Sequence, residues 1–443
     1  MALIDRSARI LFTRLDTHGD IVLFNGFLSL LETKYANTEI TLLVREGYDQ
    51  LKVLFPPRIR WITTKADGYC PPEGENLKAA AVLLNELSNK KWDLLITSNY
   101  NRTWLDYLIS SKLVGAKRVA LGRPREAQSQ LQELCAERNL SIDQSYDEFV
   151  EVDEFSHETE KYQALWEFLT SDKNQLPNPA LQIPQHTQIE AEKIVRDLGY
   201  SQNKFCICAP AGTNNVPIKI WPAGKYAEII CWLEKEQDTR AVLVGHEKER
   251  AILERIESLS RERGCSPLSY VGKDGELPVL AAISLAAKLY LGNDTGLMHI
   301  AAAVGTDVIA IFGGGTWPRF LPRGKACVVV SELPCFGCFW NCIFGDAPCI
   351  ESISVNDIKK AFELTQSRSN TDSSCIILRS EISSDQILQN LVGKAQQHVS
   401  KLKNDLSLNQ KTIKRQEEQI LSLLNSWSWK LTKPLRILKE MLS

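Results

Sequence analysis

The chain carries almost no net charge, with 52 Lys and Arg against 54 Asp and Glu over 443 residues. A broad basic field is therefore missing, which argues against indiscriminate nucleic-acid binding. The first thirty residues also lack an uninterrupted apolar run, because Asp5, Arg6, Arg9, Arg14, Asp16 and Asp20 break them up. Neither a signal peptide nor a membrane span is expected there, and the cytoplasm is the expected location. Nor does polarity force disorder: 44% of residues are hydrophobic, enough for two domains of ordinary size and something extra. Cysteine, by contrast, is plentiful. Twelve cysteines without a secretory signal read as mostly reduced thiols, several buried as small apolar residues, such as Cys206 and Cys208 in a strand-like run.

Strand-like and helix-like runs alternate along most of the chain, as in parallel sheets covered by helices. The runs Arg9–Phe12, Ile40–Val44, Leu94–Thr97 and Arg118–Leu121 belong to a first domain, 1–170; Phe205–Ala209, Ala241–Gly245, Leu289–Gly292 and Val308–Phe312 belong to a second, 201–365. Between them, 171–200 reads as a Pro-broken linker and a helix, and 366–385, rich in Ser, Asn and Asp, as another linker. The expected fold class is α/β, with two doubly wound sheets.

Two strand-to-helix turns stand out. In NDTGLMH, 293–299, Asp294 or Thr295 is placed to cap the following helix, and Gly296 lets the backbone approach a ligand, so the first helical turn offers N–H groups to an anion. An ordinary capped helix would read the same way. In RLDTHGD, 14–20, Asp20 lies at the same place after the first strand, where ligands of open α/β sheets gather. It reads either as a helix cap or as a general base.

Together with PAGTNNVPIKIWPAGKYAEII, 210–230, VGHEKER, 244–250, and GNDTGLMHIAAAVGT, 292–306, these turns resemble glycosyltransferase family 9, the ADP-heptose lipopolysaccharide heptosyltransferases, over most of residues 8–365. The resemblance implies a GT-B architecture of two Rossmann-like domains facing a cleft, the first on the acceptor side and the second binding a nucleotide sugar. It also implies inversion at the sugar, and no required cofactor or metal. No Asp-x-Asp motif occurs in the chain, in keeping with that chemistry. By match to the family, Asp20 is the catalytic base and Lys219 sits beside the diphosphate. Thr213, Thr295, Gly296 and His299 accompany it, and Gly19 and Asp294 also lie on the donor side. Glu249 is the choice for the ribose hydroxyls, with Glu247 second; a plain exposed helix start explains that charged run equally. Arg14 is placed either to hold an anionic acceptor or to pair with Asp16 or another acid. Where the family has a proline the chain has Asn25, and Gly314-Gly315 stand near the family's Pro-Thr pair. The implied activity is transfer of a sugar, most simply a heptose, onto a lipopolysaccharide or other envelope glycan. An inactive GT-B scaffold for envelope assembly and a nucleotide-sugar epimerase are the alternatives.

Three further features complete the reading. Cys335, Cys338, Cys342 and Cys349 have a spacing suited to structural zinc or an iron–sulfur cluster, or else are reduced thiols. Across 386–424, Leu388, Val392, Ala395, Val399, Leu402, Leu406, Asn409, Ile413, Gln416, Ile420 and Leu423 recur in steps of four and three, the seam of a coiled coil that favours a parallel homodimer, with docking as a surface helix the alternative. The tail, 425–443, mixes Trp427 and Trp429 with Lys430, Lys433, Arg436 and Lys439. It suits peripheral contact with anionic lipid at the inner membrane face, or burial against protein.

Overall fold

A computed structural model describes residues 3–4, 7–123, 145–210, 216–273, 275–369 and 374–425. It divides into two units, Met1–Ile382 and Ser383–Ser443.

The first unit holds two sheets. Strands β1 (Arg9–Thr13), β2 (Glu39–Arg45), β3 (Arg60–Thr64), β4 (Leu94–Thr97), β5 (Lys117–Leu121) and β6 (Glu148–Val150) pair in the order β3-β2-β1-β4-β5-β6, all parallel. Strands β7 (Phe205–Ala209), β8 (Arg240–His246), β9 (Leu268–Gly272), β10 (Leu289–Asn293), β11 (Val308–Phe312), β12 (Ala326–Val330) and β13 (Cys375–Arg379) form the second sheet, β13-β12-β11-β10-β7-β8-β9, also all parallel. Each order is doubly wound. The direction of winding reverses between β1 and β4 in one sheet and between β7 and β10 in the other, and such a reversal opens a crevice at the carboxyl ends of the strands. The central strands are apolar without alternation because helices cover both faces; every residue of β7, β10, β11 and β12 is buried. Burial also holds Cys206 as a thiol, its ionisation pushed up to about 12, in keeping with its reading as a small apolar residue.

The structure corrects the reading of 366–385 as a linker. Its run Cys-Ile-Ile-Leu-Arg is β13, which pairs with β12 from Ala326↔Cys375 to Val330↔Arg379. Polar flanks hid a strand five residues long, too short to show its own periodicity. The helical pattern expected after β1 is also divided in two, His18–Leu23 and Asn25–Lys34. The side chain of Asn25 accepts the N–H of Ala180 at 2.9 Å, fixing the connection between the sheets against the start of the second of these helices.

The two halves share a core. Ile300 and Ala303, on the helix Gly296–Ala303 of the second sheet, belong to the same buried cluster as Phe12, Phe24, Phe27 and Trp166 of the first.

Among the described residues of the second unit there is one helix, Ser384–Asn425, of 42 residues, about 63 Å long at 1.5 Å per residue. On it Val392, Val399, Leu406 and Ile413 are 56%, 49%, 59% and 54% exposed. Among the described residues no helix is long and apolar enough to cross a membrane. The side chains of Ala395, Leu402, Asn409, Ile420 and Leu423 lie outside the described set, as do Thr213 and the tail beyond Asn425.

Candidate functional site

At the end of β1 the chain turns into the helix His18–Leu23 with Thr17 as its N-cap. The Thr17 hydroxyl donates to Asp20 Oδ2 at 2.6 Å, and the Thr17 N–H approaches the same oxygen at 3.2 Å. Asp20 is therefore the third helical residue, closing a capping box, and Thr17 is the cap. Its other oxygen faces Arg14 Nη2 at 3.6 Å. Arg14 has no exposed surface. It donates to the Ser98 carbonyl at 2.6 Å and the Tyr162 hydroxyl at 2.5 Å, and pairs with Asp16 at 3.0 Å. Of the two readings of Arg14, the pair with Asp16 is what the fold forms. Burial raises the Asp16 carboxyl well above the ordinary range in spite of Arg14.

At the end of β10 the second turn is built from the same cap residue and opposite support. Thr295 is the N-cap of Gly296–Ala303, but its hydroxyl lies 3.3 Å from that of Tyr290 and makes no cap bond. The third helical residue is Met298, fully buried in the core, so no carboxylate can reach back. Just before the cap, Asp294 pairs with Lys219 at 3.1 Å, and the Lys219 ammonium stands 4.7 Å from the centre of the Trp340 ring. Asn293 sets this geometry. Its amide donates to the Pro210 carbonyl at 2.6 Å and its oxygen accepts from the Tyr226 hydroxyl at 2.9 Å, tying the ends of β10 and β7 to the segment that carries Lys219.

The two turns meet. A side-chain carbon added at Gly19 would lie 3.0 Å from the His299 ring and 3.1 Å from the Gly296 backbone, and one added at Gly296 would lie 2.1 Å from His18 Nε2. A side chain at Gly296 would run into the His18 ring and one at Gly19 would crowd the Gly296 backbone, so glycine at both positions favours this approach. Burial lowers both imidazoles below their ordinary range, His18 to about 4 against the pull of Asp20. Both are neutral at pH 7. His299 is buried, and its Nδ1 has no hydrogen-bond partner.

Glu249, at the end of β8, is buried and accepts the His246 N–H at 2.9 Å, which commits one carboxylate oxygen to its own turn. Glu247 is exposed and paired with Arg250 at 2.6 Å. Thr213 lies outside the described residues. Cys335, Cys338, Cys342 and Cys349 line one apolar cavity of about 30 Å³ beside Ile218 and Trp340. They are free thiols, and among the described residues no three His, Cys, Asp or Glu side chains are grouped as a metal ion requires. The zinc or iron–sulfur site expected from their spacing is thus not formed by the side chains as they stand. Burial raises the Cys335 thiol, and that of Cys349 to about 11, which favours the protonated forms.

Residues 138–344 match the family described as glycosyltransferase family 9 (heptosyltransferase). Over those residues the chain is similar to that family. Lipopolysaccharide heptosyltransferase 2 of Salmonella typhimurium is 34% identical over 155 residues, 33% of this chain and 42% of the relative. The chain thus spans less than half the length of the curated relative it matches. A family 9 glycosyltransferase of Veillonella parvula superposes with a TM-score of 0.63 at 19% identity, covering 82% of this chain and 98% of that one. Escherichia coli ADP-heptose lipopolysaccharide heptosyltransferase II superposes at 0.59 with 17% identity, covering 81% and 98%. These likenesses show the fold: two Rossmann-like domains in the GT-B arrangement.

Sequence reasoning missed Asn293 and Trp340, which hold and flank Lys219, and the contact of His18 with Gly296. Asn293 was legible in principle, as an amide at the last position of an otherwise apolar strand. Trp340 was not, since nothing in its neighbourhood in sequence points to Lys219.

Proposed function

We propose that the protein is an inverting, metal-independent glycosyltransferase that moves a heptose from a nucleoside-diphosphate donor, ADP-heptose, to a lipopolysaccharide or similar envelope glycan. The observation that carries this reading is the junction of the two turns: the turn that holds the Asp20 carboxylate packs on an uncapped helix start of the second domain, next to which Asp294 holds Lys219. In this reading the diphosphate lies against the first turn of Gly296–Ala303, where backbone N–H groups and the helix dipole favour negative charge. Lys219 balances the departing phosphate, and the neutral His299 offers its free Nδ1. Gly19 lets the two turns close on each other beside the donor. Glu249 and Thr213 serve the nucleoside and phosphate ends, and Asp294 orients Lys219. Asp20 takes the proton of the acceptor hydroxyl through its Oδ1 as that oxygen attacks the anomeric carbon; the carbon–phosphate oxygen bond breaks and ADP leaves with its electron pair. One carboxylate is enough for a single displacement with inversion. Arg14 acts behind Asp20 and does not touch the acceptor.

The heptad positions Val392, Val399, Leu406 and Ile413, each seven residues apart and about half exposed, support a parallel homodimer through the Ser384–Asn425 helix. The dimer sets two basic, aromatic tails side by side at the inner face of the membrane.

Incubating the protein with ADP-heptose and a heptose-deficient lipopolysaccharide core tests the activity, with ADP release and product mass as readouts. Free sugar without acceptor would favour an epimerase, and ADP binding without turnover a scaffold. Light scattering of the full chain against a form ending at Ser383, with sedimentation on anionic liposomes, tests assembly; a monomeric full chain would overturn the dimer.

A further inference from the structure

Behind Asp20 lies a chain of buried charge that crosses from one domain to the other. Arg319 follows β11 of the second sheet, yet its guanidinium forms an ion pair with Glu158, the first residue of the helix Glu158–Thr170 packed on the first sheet. The Glu158 N–H donates to the Arg319 carbonyl at 3.1 Å, and His157 Nε2 lies 2.8 Å from the Leu321 carbonyl. Glu158 also accepts from Lys161 at 2.8 Å and from the Tyr162 hydroxyl at 3.2 Å. Since that hydroxyl gives its proton to Glu158, its lone pairs face Arg14, which donates to it at 2.5 Å and stands against Asp16 and Asp20.

Arg14, Lys161 and Arg319 face Asp16, Asp20 and Glu158, three basic and three acidic side chains with almost no exposed surface. Buried ion pairs are a poor way to glue two domains, because apolar residues of the same volume hold at least as well. What such a chain supplies is orientation. Each member satisfies the next, and withdrawing one leaves its neighbour buried and unpaired.

We propose that Arg319 and Glu158 are positioning residues that couple docking of the second domain to the orientation of the Asp20 carboxylate, through Tyr162 and Arg14. The inference rests on Asp20 being the base. In the docked arrangement Arg319 neutralises Glu158, Glu158 fixes the Tyr162 proton, and Arg14 is held facing the two aspartates. When the domains part, Glu158 loses its interdomain partner and the base loses its support, so proton removal is confined to the closed cleft.

Two variants of the full chain test this. Arg319→Gln removes the interdomain cation. Tyr162→Phe keeps the ring and the Arg319–Glu158 pair and deletes only the linking hydroxyl, so it tests the relay even if Arg319→Gln folds poorly. Two readouts are taken: amide hydrogen exchange over residues 17–23, and steady-state transfer from ADP-heptose with ADP affinity measured alongside. Both variants are expected to speed exchange over 17–23 and to lower kcat by about 100-fold, the scale for remote misplacement of a reacting group, while ADP affinity stays within about twofold, since the diphosphate site is not part of the chain. Arg319→Lys, which keeps the charge, should recover most of both effects. Unchanged exchange over 17–23 in Tyr162→Phe, or kcat and ADP affinity falling together, would overturn the coupling. If the wild-type protein transfers nothing, the functional reading fails on its own, and the exchange measurement still decides the coupling.

Discussion

The helices His18–Leu23 and Gly296–Ala303 begin with the same residue in the same place and end up with opposite chemistry. Each follows a central strand at the reversal point of its sheet, and each has a threonine N-cap in the extended region. The third residue separates them. In the first it is Asp20, whose carboxylate closes the turn; in the second it is Met298, which goes into the core and leaves the turn open. One helix start thus carries its own anion and the other waits for one. Pressed together through Gly19 and Gly296, they set a fixed carboxylate turn against an open helix start, the arrangement on which the proposed transfer rests.

The contrast breaks most sharply at its charged member. Asp20→Asn keeps the shape of the capping box but removes the base, so kcat should fall by about 10²–10⁴-fold with ADP affinity unchanged; a parallel loss of ADP binding in titration calorimetry would mean that the two turns do not divide the work. Lys219→Ala attacks the other side. It takes away the cation that Asp294 holds beside the open turn, and ADP affinity should drop by about 1.5–3 kcal/mol, the scale of a charge-assisted hydrogen bond, while EDTA leaves the rate alone. A rate lost to EDTA and restored by magnesium would assign the phosphate charge to a metal instead.

Asn293→Ala tests what holds the open turn in place. Its buried amide bonds to Pro210 and accepts from Tyr226, so chemical denaturation should show a loss of about 1–3 kcal/mol; a smaller loss would mean the ends of β7 and β10 are held by packing alone. The smallest effect is expected at His18. Its folded-state value of about 4 lies below its ordinary 6.5, so the unfolded chain takes the proton first. That contribution to stability is full above about pH 6.5 and is lost as pH falls towards 4. His18→Gln should make the thermal midpoint fall less steeply across that window than it does in the wild type, and identical slopes would remove His18 from the junction's acid sensitivity.

Much of this was legible beforehand because parallel strands buried on both faces write themselves as apolar runs. Phe205–Ala209 and Val308–Phe312 stand as read, whereas β3, β6, β9, β12 and β13, each of five residues or fewer, were not singled out. The two turns were legible because glycine, threonine and aspartate have few reasons to gather after a strand. Arg14, Glu158 and Arg319 were another matter. A buried arginine and an exposed one look alike in sequence, and nothing local announces that residues more than a hundred positions apart will share a proton network.

The sequence by itself determined many of the central strands, where the helices after β1 and β10 start, and that glycine, threonine and aspartate gather at those two turns, because those properties rest on local periodicity and on the conformational freedom of single residues. Only the tertiary structure decided that the two turns touch, that Asp294 rather than solvent holds Lys219, and that Arg14 is buried behind Asp20. Contact between distant residues is set by how two sheets dock, and docking is a sum over many weak apolar contacts that no single stretch of chain encodes.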